Sequence, residues 1–572
     1  MKTRHIASSI FVLLICIFGL LVSRLYYLQK IKAPTYRENS QRQQHAVITE
    51  TPQRGIIVDR RGRIVAASNR IDTLFVEPRK LDSDDRRNQA AVELQEILQM
   101  PGHEISRIID ESANPGYVKI KEDISPDERI SATQTGLEGV GVKTDWQRYY
   151  PMGRLFGHVA GFTGWDQKGQ AGLELKYNDV LAGKEGKDVF VVDAFRKPIG
   201  KKQPKSLVQD GLGLVLTLDA TIQQFTREAI YKQYKEYNAE SAVAVVMDPK
   251  TGGILAMVSV PDFDPSDINS SETDWRRNRA LTDPYEPGSI FKPIVAALAL
   301  DEGVIGYHEQ IFCERGNYSG KGFGRIGEWG NHRFGNLTVK EILAQSSNIG
   351  MAKIGQKMGK KKLHDGVKLF GFGQKTGIDL PGEESGVVRP LKKWDGYSIT
   401  RVPFGHEVTV TAIQIARAYC ILANGGRAVR PHLVRAVVDQ DGKVTELSND
   451  KPLAGYILKP EVADWVRTEA LVEVVEDGTG TATDLEKWQV FGKTGTANIA
   501  SGGYDETNYV ASFAGGAPAD DPRVVILVSV RKPDKSLRKG YSGGRVAAPV
   551  VKEILEKTLP YLRVPPEDDQ ED

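Results

Sequence analysis

The chain has 572 residues, enough for two or more domains, each with a core of its own. Its 76 Lys plus Arg nearly balance 74 Asp plus Glu, and no basic block carries interleaved aromatics, which argues against a nucleic-acid binder. Three cysteines (Cys16, Cys313, Cys420) and nine scattered histidines show neither metal spacing nor a disulfide framework, so no metal or other cofactor is expected.

Residues 6–22, IASSIFVLLICIFGLLV, carry no charge and are just long enough to span a bilayer. A cleaved signal peptide would have a shorter apolar core, with small residues at its cleavage site. Here SRLYYLQK follows, with Tyr26 and Tyr27 placed like an interfacial aromatic belt. The expectation is a short stub over 1–5 and an uncleaved transmembrane anchor over 6–28. Lys2 and Arg4 precede the run while Arg24, Lys30 and Lys32 follow it, so charge asymmetry leaves the orientation open.

Residues 29–50 are polar and read as a stalk. TPQRGIIVDRRGRIVAAS predicts two short strands around a turn at Arg61-Gly62 and opens a mixed, charged domain over 51–211. A third segment, 212–562, begins with a strand at Leu214–Leu218 and a long amphipathic helix capped by Asp219. SAVAVVMDP and GGILAMVSVP predict a hairpin around Lys250-Thr251-Gly252. Helical patterns follow at Ser289–Leu300, Thr338–Met358 and Thr409–Leu422, the last stopped by Asn424-Gly425-Gly426. Then come the strand-like VFGKTGTA, YVASFAGGAP and RVVILVSVRKP, a helix near Ala548–Leu559, and a disordered acidic tail over 563–572. Strands flanking a helical middle give an α/β (α+β) sandwich with a mainly antiparallel sheet between helices.

Chemistry enters at PYEPGSIFKPIVAAL, where Ser289 heads an apolar helical run and Lys292 follows three residues on. A serine there is ordinarily a helix cap. It can also be a nucleophile, if burial strips the lysine of its proton and the helix start stabilises negative charge. Lysine titrates near ~10.4 in water, so this role needs a buried site with a second cation nearby.

Ser-x-x-Lys occurs four times. The copies at Ser448, Ser529 and Ser536 fall in a polar turn, on a strand whose third residue faces the other side, and in a charged loop. Lys-Thr-Gly occurs twice. Lys375-Thr376-Gly377 lies in a glycine-rich loop, whereas Lys493-Thr494-Gly495-Thr496 lies on a strand able to offer side chains and a backbone N–H to a bound peptide. Gly495 would remove a side chain that blocks close approach. Ser346-Ser347-Asn348 sits between the two elements, inside an otherwise apolar helical stretch, where polar groups need partners or a helix end. Ser112-Ala113-Asn114 shares that spacing but reads as a turn before Pro115-Gly116. Gly322 to Gly327 fits GxGxxG, yet neither the preceding strand nor the following helix of a dinucleotide site is expected there.

In order, Ser289-x-x-Lys292, Ser346-x-Asn348 and Lys493-Thr494-Gly495 resemble the signature of serine penicillin-recognising enzymes, with a serine where class A β-lactamases have Asp. Nearly the whole chain resembles class B penicillin-binding proteins. RGIIVDRRGRIVA and RYYPMGRLFGHVAGFTG…GLELKYNDVLAGKEG, with Arg148, Tyr150, Pro151, Gly172, Glu174 and Gly183, look like their non-catalytic pedestal. EPGSIFKP and QSSNIGMAKIG look like the septal, cell-division branch. PFGHEVTVTAIQIA departs from the pattern, since many relatives have a glycine near His406.

The resemblance implies a penicillin-sensitive peptidoglycan D,D-transpeptidase. In it Ser289 attacks the penultimate D-Ala carbonyl, Lys292 takes the serine proton, and Ser346 relays a proton to the leaving amine. Asn348 positions Lys292 and substrate, Lys493 supplies positive potential, and Thr494 and Thr496 hold the terminal carboxylate beside Gly495. The N–H groups of Ser289 and Thr496 form the oxyanion hole. Implied partners are the stem pentapeptide ending in D-Ala-D-Ala, β-lactams, the inner membrane, a SEDS-family glycosyltransferase and other division proteins, with the catalytic domain on the periplasmic side. An elongation-type transpeptidase, a D,D-carboxypeptidase or β-lactamase, a β-lactam sensor and a division scaffold with secondary catalysis stand as alternatives.

Overall fold

The computed structural model describes residues 2–164, 166–191, 203–447, 455–500 and 504–567. Contacts divide the chain into two compact units.

The first comprises the chain up to Gln53 together with Gly183–Gly211. It starts with the helix Lys2–Tyr26, which continues as a π-helical turn, Tyr27–Ile31. An 18-residue stretch within Thr3–Ile31 has a mean hydropathy of 2.7 and is unburied, so this helix is long and apolar enough to cross a membrane. Residues read as a stalk are regular: a helix over Ala33–Gln44, then a strand His45–Glu50. That strand pairs antiparallel with Gly186–Val191, which pairs in turn with Gln203–Ser206.

The second unit, Arg54–Ala182 with Leu212–Asp572, holds two large sheets. One begins at the expected turn. Ile57–Val58 and Ile64–Val76 are antiparallel, and Asp59 accepts from the N–H groups of Arg61 and Arg63 while Gly62 takes φ +82°. Ile57–Val58 also lies parallel to Gly213–Leu216, which joins this sheet to the segment that follows. Asp219 caps the helix Ala220–Glu236 by accepting from Thr221 N–H, and it also receives the Arg61 and Arg63 guanidiniums and the Tyr561 hydroxyl. Elsewhere in this unit, Glu174 is fully buried and shared by two arginines, Arg54 Nε at 2.5 Å and Arg148 Nε at 2.6 Å. A buried carboxylate of this kind persists only when paired.

The other sheet has five antiparallel strands. Their order is Ile254–Val260, Ser241–Met247, Val524–Arg531, Tyr504–Ala517 and, at the edge, Phe491–Ala500. Period-2 alternation divides the side chains of its central strands between two cores. Ala242, Ala244, Val246, Ile526 and Val528 face a cluster with Ile230, Ile554 and Leu555 of the helices Ala220–Glu236 and Ala548–Tyr561. Val243, Val245, Val525 and Leu527 face a larger core with Ile413 and Ile415 of the helix Ala412–Ala423. The helix Lys292–Asp301 is buried from Lys292 to Leu300, as expected of a helix apolar all round.

The structure revises two further expectations. The pattern read as one helix over Thr338–Met358 is two, Val339–Ala344 and Asn348–Leu369, broken at Gln345–Ser347. Pro565–Glu567, the start of the acidic tail, is tied down: Trp488 Nε1 donates to Pro565 O and Gln489 N–H to the Glu567 carboxylate. The Ser448–Lys451 copy of Ser-x-x-Lys lies outside the described residues.

Candidate active site

Ser289 lies within a 3₁₀ turn, Gly288–Phe291, that leads into the helix Lys292–Asp301. Its hydroxyl caps neither element, so the helix-cap reading fails. Gly288 takes φ +58°, and a Cβ there would stand 3.1 Å from Ala497 Cβ on the edge strand. A glycine thus lets the serine-bearing turn lie against that strand. Gly495 acts in the same contact: its added Cβ would meet Ile290 Cγ2 at 3.0 Å and Pro287 O at 3.2 Å. The space it clears belongs to the turn, not to a bound peptide, which corrects the sequence-based reason for it.

Lys292 is fully buried. Its Nζ donates to Ser346 O at 2.5 Å, to Asn348 Oδ1 at 2.8 Å and to Ser346 Oγ at 3.2 Å, and makes no hydrogen bond to Ser289. Desolvation pulls its pKa from 10.5 down to about 7, against the raising effect of Glu328. Lys493 is also fully buried, but it is burial, and not a second cation, that lowers Lys292. Burial first, and the charge of Lys292 second, lower the pKa of Lys493 well below the usual lysine value. Its ammonium reaches Thr479 Oγ1 at 3.1 Å, and Thr494 Oγ1 donates to the same oxygen at 2.7 Å.

Ser346 stands at φ +57°, a conformation that ends the preceding helix and turns its carbonyl and hydroxyl to Lys292. Ser347, the residue between the motif positions, caps the next helix by accepting from Gly350 N–H. It also donates to Glu328 Oε1 at 2.6 Å, while Asn348 N–H donates to Glu328 Oε2 at 2.6 Å. Asn348 Nδ2 donates to Gly327 O at 3.1 Å.

The GxGxxG segment therefore belongs to this site. A strand does precede it: Asn317–Gly320 pairs antiparallel with Gly324–Gly327, and a 3₁₀ turn, Trp329–Asn331, follows in place of a dinucleotide-binding helix. Ser112-Ala113-Asn114 is a turn, with Gly116 N–H bound to Asn114 Oδ1. Thr376 and Gly377 of the other Lys-Thr-Gly copy are bound through their N–H groups to Glu383, away from the cleft.

These elements enclose a cleft of about 730 Å³ lined by Ser289, Ser346, Asn348, Thr494, Thr496 and Asn498, among others. The motif residues Ser289, Lys292, Ser346, Asn348, Lys493, Thr494, Gly495 and Thr496 all meet at or directly beneath it. Sequence reading missed three contributors. Glu328 anchors the Ser347-Asn348 turn, Thr479 bridges Lys493 and Thr494, and Gly543 donates its N–H to Thr496 Oγ1 at 3.0 Å. Glu407, beside the departure at His406, holds φ +60° and donates its N–H to Glu286, whose carboxylate also pairs with His406 at 3.2 Å.

An antiparallel sheet between helices, with a Ser-x-x-Lys turn packed on its edge strand, defines the serine penicillin-recognising enzymes. The narrower assignment comes from comparison with known proteins. Residues 242–556 match the penicillin-binding protein transpeptidase domain, and residues 49–216 match the penicillin-binding protein dimerisation domain. Stage V sporulation protein D of Bacillus subtilis is 34% identical over 584 residues, spanning 100% of this chain and 88% of its own length. A probable peptidoglycan D,D-transpeptidase PenA of Neisseria gonorrhoeae is 31% identical over 569 residues, 98% of this chain and 93% of its own. Among solved structures, penicillin-binding protein 3 of Mycobacterium tuberculosis complexed with aztreonam superposes with a TM-score of 0.70 at 26% identity, over 91% of this chain and 98% of that one. The chain belongs to the penicillin-binding proteins, in the class B arrangement of dimerisation and transpeptidase domains, and is an enzyme of the D,D-transpeptidase class.

Proposed function

We propose that this enzyme cross-links peptidoglycan stem peptides through a Ser289 acyl-enzyme, at the division septum. The observation that carries the reading is the state of Lys292, buried, held near pKa 7 and bound to two obligate acceptors. As a neutral amine it has two N–H groups, which Ser346 O and Asn348 Oδ1 take. Its lone pair is then left to receive a proton from a hydroxyl.

Ser289 Oγ attacks the carbonyl of the penultimate D-Ala, and its proton passes to Lys292. Ser346 Oγ, 3.2 Å from Lys292 Nζ, relays a proton to the departing D-Ala nitrogen as the C–N bond breaks. Thr494 and Thr496 hold the substrate carboxylate in the potential of Lys493, and the N–H groups of Ser289 and Thr496 receive the oxyanion. The edge position of Phe491–Ala500 leaves one side of that strand for an extended peptide. An amine of a second stem then displaces Ser289. A β-lactam acylates the same serine and stays.

Because the substrate lies outside the cytoplasmic membrane, the N-terminal apolar helix becomes an anchor with the catalytic unit on the periplasmic side, working beside a SEDS-family glycosyltransferase. Domain limits of 51–211 and 212–562 are part of the proposal. Mass spectrometry after incubation with a penicillin tests the chemistry: one adduct on Ser289 is expected. An adduct that persists in Ser289→Ala sinks the assignment. Depletion tests the septal role: filaments support it, rounded cells move the enzyme to elongation, and normal growth with failed sporulation moves it to spore formation.

A further inference from the structure

The proposed cleft carries more positive charge than the donor stem uses. Arg325, on the strand Gly324–Gly327, and Arg401, ending the helix Gly396–Arg401, both line it. Arg401 Nη2 donates to Arg325 O at 3.1 Å and its other hydrogen bond goes to Thr400 Oγ1, so the two residues stand together. Among the described residues neither guanidinium has a carboxylate partner. The other charged groups on the cleft wall are accounted for differently. Glu328 is taken up by Ser347 and Asn348, and His406 pairs with Glu286. Asp477 lies beside Thr479, at the Lys493 end, and His332 stacks on Phe334. Neither acid is paired with the arginines.

The strand that carries Arg325 also supplies a contact of the motif residues. Asn348 touches Lys292 through Oδ1 and Gly327 O through Nδ2. Arg325 is two residues from Gly327 along the strand, a rise of about 7 Å on the same face. Arg325 and Arg401 line the same cleft as Ser289, Ser346 and Asn348. The donor carboxylate, on the reading above, is held elsewhere, by Thr494 and Thr496.

Resting on that acyl-enzyme reading, we propose that Arg325 and Arg401 bind a carboxylate of the acceptor stem. The favoured acceptor is then an amine whose own carbon bears a carboxylate, not a plain side-chain amine. The acceptor nitrogen, as the neutral amine, attacks the Ser289 ester carbonyl. The new C–N bond forms, the C–Oγ bond breaks, and the proton lost by nitrogen returns to Ser289 Oγ. The arginines take no part in bond making. They orient the nucleophile and offset its negative charge, which a planar fork does well for a carboxylate.

The test uses the full chain with a D-alanyl thioester donor and two acceptors of the same shape, D-alanine and D-alaninamide. The quantity read is the ratio of transfer to the two acceptors, in which any loss of folding or acylation cancels. Arg325→Gln with Arg401→Gln is expected to lower that ratio about ten- to hundredfold, the effect of losing a charge-assisted pair. Raised salt should lower it in the wild type for the same reason. Arg325→Lys with Arg401→Lys keeps the charges and should retain part of the preference. An unchanged ratio in the glutamine variant, or equal use of both acceptors by the wild type, overturns the proposal. Failure of a penicillin to label wild-type Ser289 overturns the acyl-enzyme reading instead.

Discussion

Asn348 grips Lys292 with its oxygen, at 2.8 Å, while its nitrogen is tied to Gly327 O at 3.1 Å. The amide can satisfy a lysine donor and a carbonyl acceptor only in this orientation. Asn348→Ala should lower penicillin acylation about ten- to hundredfold, since Lys292 loses an acceptor that fixes its lone pair. Asn348→Asp should behave differently. A carboxylate there favours the ammonium, so the pH at which acylation turns on should rise. Stopped-flow acylation across pH separates the two; identical profiles would remove Asn348 from the pathway.

Acylation by the wild type should climb as pH rises through about 7, the value to which burial lowers Lys292. Stability should change in the same direction. A drop from 10.5 to about 7 costs about 5 kcal/mol in the protonated form, at about 1.4 kcal/mol per unit. That cost is full below pH 7, where both states hold the proton, and is relieved as pH rises toward the unfolded value. Glu328 opposes the shift, so Glu328→Gln should move the acylation midpoint to lower pH. The same variant should lose about 1–3 kcal/mol, because the Ser347 hydroxyl and the Asn348 N–H then share one acceptor oxygen. A midpoint that moves upward would mean that Glu328 does not act on Lys292 through charge.

Ser347 tests the turn without touching the lysine. It accepts from Gly350 N–H and donates to Glu328. Ser347→Ala should cost about 1–2 kcal/mol, the usual loss of a helix cap with one buried hydrogen bond. Thermal melts should report that loss, and a slower acylation at unchanged midpoint pH should accompany it.

Much of this arrangement was legible in the sequence where local physics decides. Short, nearly continuous apolar runs along Ser241–Met247 and Val524–Arg531 marked strands, though which of the two cores each face meets shows only in the fold. Asp219 and the Arg61-Gly62 turn followed from capping and turn chemistry. The break at Ser346 followed only in part: its polar residues admitted a helix end, but apolar residues on both sides continue one helical pattern, and a serine at positive φ leaves no periodic mark. Glu328, Thr479 and Gly543 were invisible for a different reason. Glu328 and Thr479 lie in connecting segments and Gly543 at the start of the helix Gly543–Val546, each outside the motif it serves and identified only by what it touches. The discarded GxGxxG stretch misled through its glycines, which serve a hairpin whose strand supplies Gly327 O and Arg325.

Two glycines at the edge strand should differ in what an alanine does to them. At Gly495 an added Cβ would lie 3.0 Å from Ile290 Cγ2 and 3.2 Å from Pro287 O, tight contacts that a small shift of the serine turn relieves. At Gly543 it would lie 2.3 Å from Ser512 O and 2.4 Å from Gly495 O, both backbone atoms of paired strands. Gly543 also donates its N–H to Thr496 Oγ1, so any retreat drags a substrate-binding threonine out of place. Gly543→Ala should therefore abolish acylation or lower it at least about a hundredfold, a displacement of about 1 Å being enough for such a loss. Gly495→Ala should leave a measurable rate. Circular dichroism and a thermal melt establish whether each variant is folded, and fluorescent penicillin labelling of the folded protein then ranks them. The reverse ranking would show that the serine turn, and not the Gly543 segment, is the stiffer wall of the site.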